Sequence, residues 1–182
     1  MPTGTALDAG LETAFLVALG VALLAVAVTD ARERRIPDVW NLAIALLGLA
    51  RLIALHPAQF VDRLLDAAAI GSLLLLLRWV YRRMRGRVGL GLGDVKFVAA
   101  AALWTGLSDM TLVILLASLA ALVWLGGLRL VGGSVGRGTR LAFGPFLAGA
   151  LFAVLVFDAA SPAAGDEAWP IEDPADFGLS VP

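Results

Sequence analysis

Two aspartates, Asp30 and Asp94, stand where the surrounding hydrophobicity places a membrane, on segments sixty-four positions apart (94 − 30). A carboxylate inside a bilayer costs roughly 3 kcal/mol on insertion scales, so its default reading is functional. Two such groups meeting from separate helices share one proton and activate a water, which is what an aspartic hydrolase requires. At close range both do not ionise readily, and the pair holds a single proton. The ionised member takes a proton from water, and the protonated member hydrogen-bonds the scissile carbonyl. Return of a proton to the leaving amine completes peptide hydrolysis. Asp94 closes the run Gly91-Leu92-Gly93-Asp94 and is followed by Val95-Lys96. Gly91 and Gly93, with Gly89, allow a substrate backbone to approach the carboxylate and the loop to take positive φ. The run is not a phosphate-binding loop, because Gly-Lys-Ser/Thr is missing.

The elements that must position this pair follow from composition. Of 182 residues, 60% are hydrophobic, and the mean hydropathy is +0.89, which makes the chain an all-α integral membrane protein in contact with a lipid bilayer. Residues 1–160 read as one membrane domain, and residues 161–182 as an acidic, proline-bearing tail expected to be poorly ordered. The chain has no cysteine, which excludes a disulfide, a thiolate nucleophile and a cysteine-ligated zinc. A single histidine, His56, excludes a multi-histidine metal centre; no metal, cofactor or nucleic-acid partner is expected. The N-terminal ten residues have no basic region, so no cleaved signal peptide is expected.

Six transmembrane helices are expected, over Leu11 to Val28, Val39 to Leu55, Phe60 to Tyr81, Gly89 to Gly106, Met110 to Leu130 and Leu141 to Phe157. The fourth reaches a useful length only if Asp94 lies within or just under the bilayer surface. Asp94 precedes Gly106 by twelve residues, about 18 Å of helix, in a core about 30 Å thick. Between the first two helices, clustered charge and proline predict a surface loop from Ala31 to Asp38, with Pro37 setting the turn and Asp38 capping the second helix. Lys96 either snorkels to the interface or shapes the charge near Asp94.

The fourteen basic residues settle an orientation. Arg32, Arg34, Arg35, Arg78, Arg82, Arg83, Arg85, Arg87, Lys96, Arg129, Arg137 and Arg140 fall on one side; only Arg51 and Arg63 fall toward the other. The positive-inside rule then puts both termini outside and the three basic linkers in the cytoplasm, in the inner (cytoplasmic) membrane. Asp30 ends the first helix and Asp94 begins the fourth, so both are assigned to the cytoplasmic face, where they can meet.

Three patterns resemble those of the type IV prepilin peptidases, aspartic intramembrane proteases of the GxGD type. They are Asp30 with Arg34-Arg35-Ile36-Pro37-Asp38, the stretch Gly91 to Lys96, and Phe143-Gly144-Pro145-Phe146-Leu147 opening the last helix. The resemblance implies that Asp30 and Asp94 are the catalytic pair, with Gly91, Gly93, Lys96, Pro37 and Asp38 binding substrate or shaping the loops. It also implies cytoplasmic cleavage of the short, basic leader of a pilin-like precursor, just before its hydrophobic helix and often after a glycine. The cysteine-containing N-terminal region of the bifunctional members has no counterpart here, so neither N-methylation nor S-adenosylmethionine is expected. The shape resembles the compact peptidase-only forms serving Flp or Tad-type pili, or the archaeal preflagellin peptidases. Two other classes stay open on the residues alone: an ion-coupled transporter component using Asp30 and Asp94 as a relay, and a non-catalytic secretion scaffold.

Overall fold

The computed structural model describes residues 3–86, 89–131 and 142–160. Arg87, Arg137, Arg140, the expected helix start at Leu141 and the tail 161–182 lie outside the described residues. Helix α1 spans Thr3–Glu33. It does not end at Asp30, because Ala31, Arg32 and Glu33 are adequate helix formers and carry the helix one turn further. Arg34 stops it by taking φ 53°, and its N–H reaches the Asp30 carbonyl at 2.8 Å, a left-handed C-terminal cap.

Helix α2 covers Asp38–Leu55, and Pro37 occupies the position before it at φ −64°, ψ 141°, with no side-chain capping bond. The expectation that Asp38 caps this helix is therefore corrected: Pro37 fills the capping slot, and Asp38 is the first helical residue. From the first turn its carboxylate still complements the helix N-terminus. A 3₁₀ turn at Pro57–Gln59 leads to α3, Phe60–Arg85, which ends at Gly86 with φ 65°.

Helix α4, Leu92–Leu130, merges the two helices expected on either side of Gly106. The break is this one residue, at φ 79°, ψ −179°. No loop is needed, because Asp66 of α3 supplies a cap from outside: the Leu107 N–H donates to its Oδ2 at 3.2 Å. A straight helix of 39 residues would reach about 58 Å. Instead both ends of α4 lie at the same end of the molecule. Gly93 rests on Ile36, while Trp124 and Val131 share a groove with Phe146, two residues beyond the Gly144 that touches Asp30. The chain doubles back at Gly106. Helix α5 then runs Gly144–Ala160, three residues past the expected end at Phe157.

Helix α1 packs on α2 and α5, and α4 packs on α2, α3 and α5, while the backbones of α1 and α4 do not approach closely. The shared core includes Leu19, Val26, Ile44, Phe97, Met110 and Leu151. Close approach relies on small residues, as expected where packing rather than hydrophobic exclusion drives helix association. Gly48 faces the Trp104 indole, whose N–H donates to the Ile44 carbonyl at 3.0 Å, and Gly71 faces Ala99. Val21, Leu24, Leu46, Leu73, Leu119 and Val123 are exposed, an apolar surface suited to lipid and not to water. Helices at Leu7–Glu33, Asp38–Leu55 and Leu92–Leu130 are long and apolar enough to cross a membrane, and α5 is a shorter apolar helix.

At the end remote from Asp30, Arg51 forks Glu12 with Nε and Nη2 at 2.8 and 2.6 Å and lies 5.6 Å above the Trp104 ring. This ties α1, α2 and α4 together. Arg32, Arg34, Arg35, Arg82, Arg83 and Arg85 are exposed at the opposite end.

Candidate active site

Asp30 reaches the site from the last full turn of α1 and is buried, at 5% exposure. Its Oδ2 accepts the Gly144 N–H at 2.7 Å. That N–H opens α5 and has no partner within its own helix, so the carboxylate satisfies a helix end and the helix end seats the carboxylate. Only glycine fits this contact. A Cβ on residue 144 would fall 2.7 Å from Oδ2, 2.9 Å from the Asp30 Cβ and 3.0 Å from its Cγ.

Asp94 projects from the first turn of α4 and is half-buried. Its Oδ2 folds back over Gly91, where a Cβ would approach to 2.7 Å. Gly93 lets the start of α4 press on the loop after α1: a Cβ there would meet the Cβ, carbonyl oxygen and nitrogen of Ile36 at 3.2, 3.3 and 3.5 Å. The Asn41 amide of α2 donates to the Gly93 carbonyl at 3.3 Å. On the other flank, the Arg78 guanidinium of α3 donates to the Leu90 carbonyl, and Gly89 lies against the Tyr81 ring. The glycine-rich turn is thus held from α2 and α3 together.

These contacts bring Asp30 and Asp94 to one end of the molecule, within electrostatic reach of each other, although the backbones of their helices do not approach closely. Helix α5 carries the partner of Asp30, and α2 carries the partner of the Gly93 carbonyl. Gly91, Gly93, Pro37, Asp38 and Lys96 gather at the same end. The Lys96 Nζ lies 2.8 Å from the Asp38 Oδ2, an exposed pair joining α4 to α2. Among the described residues, no group of three or more His, Cys, Asp or Glu stands together as metal ligands would. Sequence reasoning missed Gly144 and Asn41 as members of this constellation. The Phe143-Gly144-Pro145 pattern was a signal for the first, since a glycine-proline helix start leaves an exposed N–H; nothing local marked Asn41.

A buried carboxyl group and a half-buried one at the same end, beside a glycine turn, form an arrangement able to polarise a water and a carbonyl together. The sequence profile of the type IV leader peptidase family matches residues 17–126, 110 of the 182 residues, which includes both aspartates. The chain belongs to the type IV leader peptidase family. Among its relatives, the leader peptidase HopD of Salmonella typhimurium is 33% identical over 138 residues, covering 76% of this chain and 89% of the relative. HopD of Escherichia coli is 36% identical over 126 residues, covering 69% and 81%. The prepilin leader peptidase/N-methyltransferase of Pseudomonas aeruginosa is 37% identical over 129 residues, 69% of this chain and 43% of the relative. Against relatives carrying that longer name, the chain spans somewhat under half their length, 43% here and 46% for Xanthomonas campestris. No solved structure matches the chain.

Proposed function

We propose that this member of the type IV leader peptidase family is an intramembrane aspartic endopeptidase that removes the short basic leader from pilin-like precursors. The observation that carries the reading is the Asp30–Asp94 pair, brought to one end of the molecule from two separate helices, with Gly144 against Asp30 and Gly91 against Asp94. One carboxyl group is ionised and deprotonates a water; the other is protonated and hydrogen-bonds the scissile carbonyl as it becomes an oxyanion. The proton then passes to the leaving amine. Each atom in the sequence is supplied by the pair, the water and the peptide.

In this reading the chain crosses the membrane six times, with the two limbs of α4 as separate spans, both chain ends outside and the pair at the cytoplasmic face of the inner membrane. The clustering of basic side chains at the Asp30 end supports that orientation. The activity is peptide cleavage without methyl transfer, a reading supported by the match to most of the length of the relatives named leader peptidase HopD. The test is co-expression with a pilin-like precursor in membranes. A shortened product should form with the unaltered enzyme and vanish with Asp30→Asn and with Asp94→Asn, both still inserted; turnover by either variant would sink the reading.

A further inference from the structure

A groove of about 500 Å³ runs between α2 and α4, lined by Leu42, Ala45, Ala99 and Leu103, with Asp38 and Lys96 at its mouth. It continues directly into the candidate active site, because Asn41 lines it while holding the carbonyl of Gly93, the residue before Asp94. The order of chemistry along the groove is a charged mouth at the level of Asp94, then an apolar floor. A leader peptidase substrate has the same order: a basic leader, the scissile bond, then an apolar helix. With the bond beside Asp94 and the leader passing this mouth, the helix enters the groove between α2 and α4.

We propose that the α2–α4 groove seats the apolar helix of the precursor and that Asp38 receives a basic side chain of the leader. The assignment rests on the peptidase reading above. The surroundings of the site are mostly hostile to a basic leader, since Arg32, Arg34, Arg35, Arg82, Arg83 and Arg85 are all exposed at that end, where the exposed Glu33 faces Arg35. Asp38 is a carboxylate there with its side chain 73% exposed. Lys96 holds it, with Nζ 2.8 Å from Oδ2. An exposed pair of this kind is worth little, so a leader lysine exchanges with Lys96 at small cost, and Lys96 serves as the intramolecular stand-in for substrate. Small residues at 45 and 99 leave room for a helix to approach closely, as packing within a bilayer favours.

The experiment uses the full enzyme in phosphatidylethanolamine/phosphatidylglycerol vesicles and a synthetic precursor with a lysine-bearing leader, a glycine at the cleavage position and an apolar helix. Asp38→Lys should raise KM about fivefold with kcat unchanged, from lost attraction plus new repulsion. Replacing one leader lysine by glutamate should restore KM for Asp38→Lys while weakening binding to the unaltered enzyme, a reciprocity that also shows the variant to be folded. A photo-crosslinking residue at Leu42 in an Asp94→Asn background should capture the precursor; one at Leu24, which lines the separate α1–α5 groove, should capture lipid. Capture at Leu24, capture of lipid alone at Leu42, or no leader position that rescues Asp38→Lys would overturn the proposal. Absence of aspartate-dependent cleavage by the unaltered enzyme would instead overturn the peptidase reading, and the groove assignment with it.

Discussion

Gly144→Ala is the sharpest perturbation of the carboxyl pair that leaves both aspartates in place. The new methyl would sit 2.7 Å from Asp30 Oδ2 and 2.9 Å from the Asp30 Cβ. Non-bonded carbon contacts settle near 3.5 Å, so the start of α5 must retreat by roughly 0.7 Å. The Asp30 Cβ cannot yield instead, because it is fixed to the helix backbone at a buried position. A retreat of that size stretches the 2.7 Å bond from the Gly144 N–H to about 3.4 Å, beyond useful geometry. Losing a hydrogen bond to a charged group costs about 1.5–3 kcal/mol, and a displaced catalytic group alone can cost about 100-fold. The expected result is a fall in kcat/KM of about 100-fold, read by precursor cleavage in membranes at matched levels of inserted enzyme. Gly149→Ala is the control in the same helix, since a Cβ there meets nothing within 4 Å; it should cleave as the unaltered enzyme does. Gly144→Ala with turnover within about threefold of the parent would refute the claim that this contact positions Asp30.

Three further outcomes concern the scaffold. Gly106→Ala should lower the thermal unfolding midpoint in detergent by a clear margin: φ 79°, ψ −179° costs a side chain about 1–3 kcal/mol, and the methyl would strike the Arg63 guanidinium and Asp66 carboxylate. Arg51→Met should destabilise by about 1–3 kcal/mol, because it removes the main partner of the partly buried Glu12 carboxylate and leaves only His56 nearby, and adding Glu12→Gln should recover part of the loss in the same denaturation assay. Gly48→Ala, which would place a Cβ 2.8 Å from the Trp104 Nε1 and 3.1 Å from the Leu103 Cβ, should cost about 1–3 kcal/mol by overpacking. A matched Gly10→Ala, where nothing lies within 4 Å, should be neutral in that measurement.

What could be read from the chain divides along a physical line. Asp30 and Asp94 stood out in the sequence because a charge among apolar residues is anomalous wherever it occurs. Helices and the break at Gly106 were visible because apolar runs and glycine act locally. Helix ends were harder. Residues 31–33 looked like loop by charge, yet are compatible with helix, and Pro37 took the capping slot assigned to Asp38. Contacts between distant residues were out of reach: the Gly144 N–H meets Asp30 across 114 positions, and Asp66 caps Leu107 across 41. Neither has a local periodicity or composition to announce it. The same holds for Lys96, whose ion pair with Asp38 depends on the register of α4 against α2.

The bond between Asp30 and Gly144 also orders events in time. Asp30 emerges from the ribosome early, in the first helix, but the N–H that seats it belongs to the last described helix. Until α5 has docked, Asp30 lacks its anchor, whatever the state of the Gly91–Asp94 turn. On the peptidase reading proposed above, the carboxyl pair is thus incomplete until the last described helix has packed.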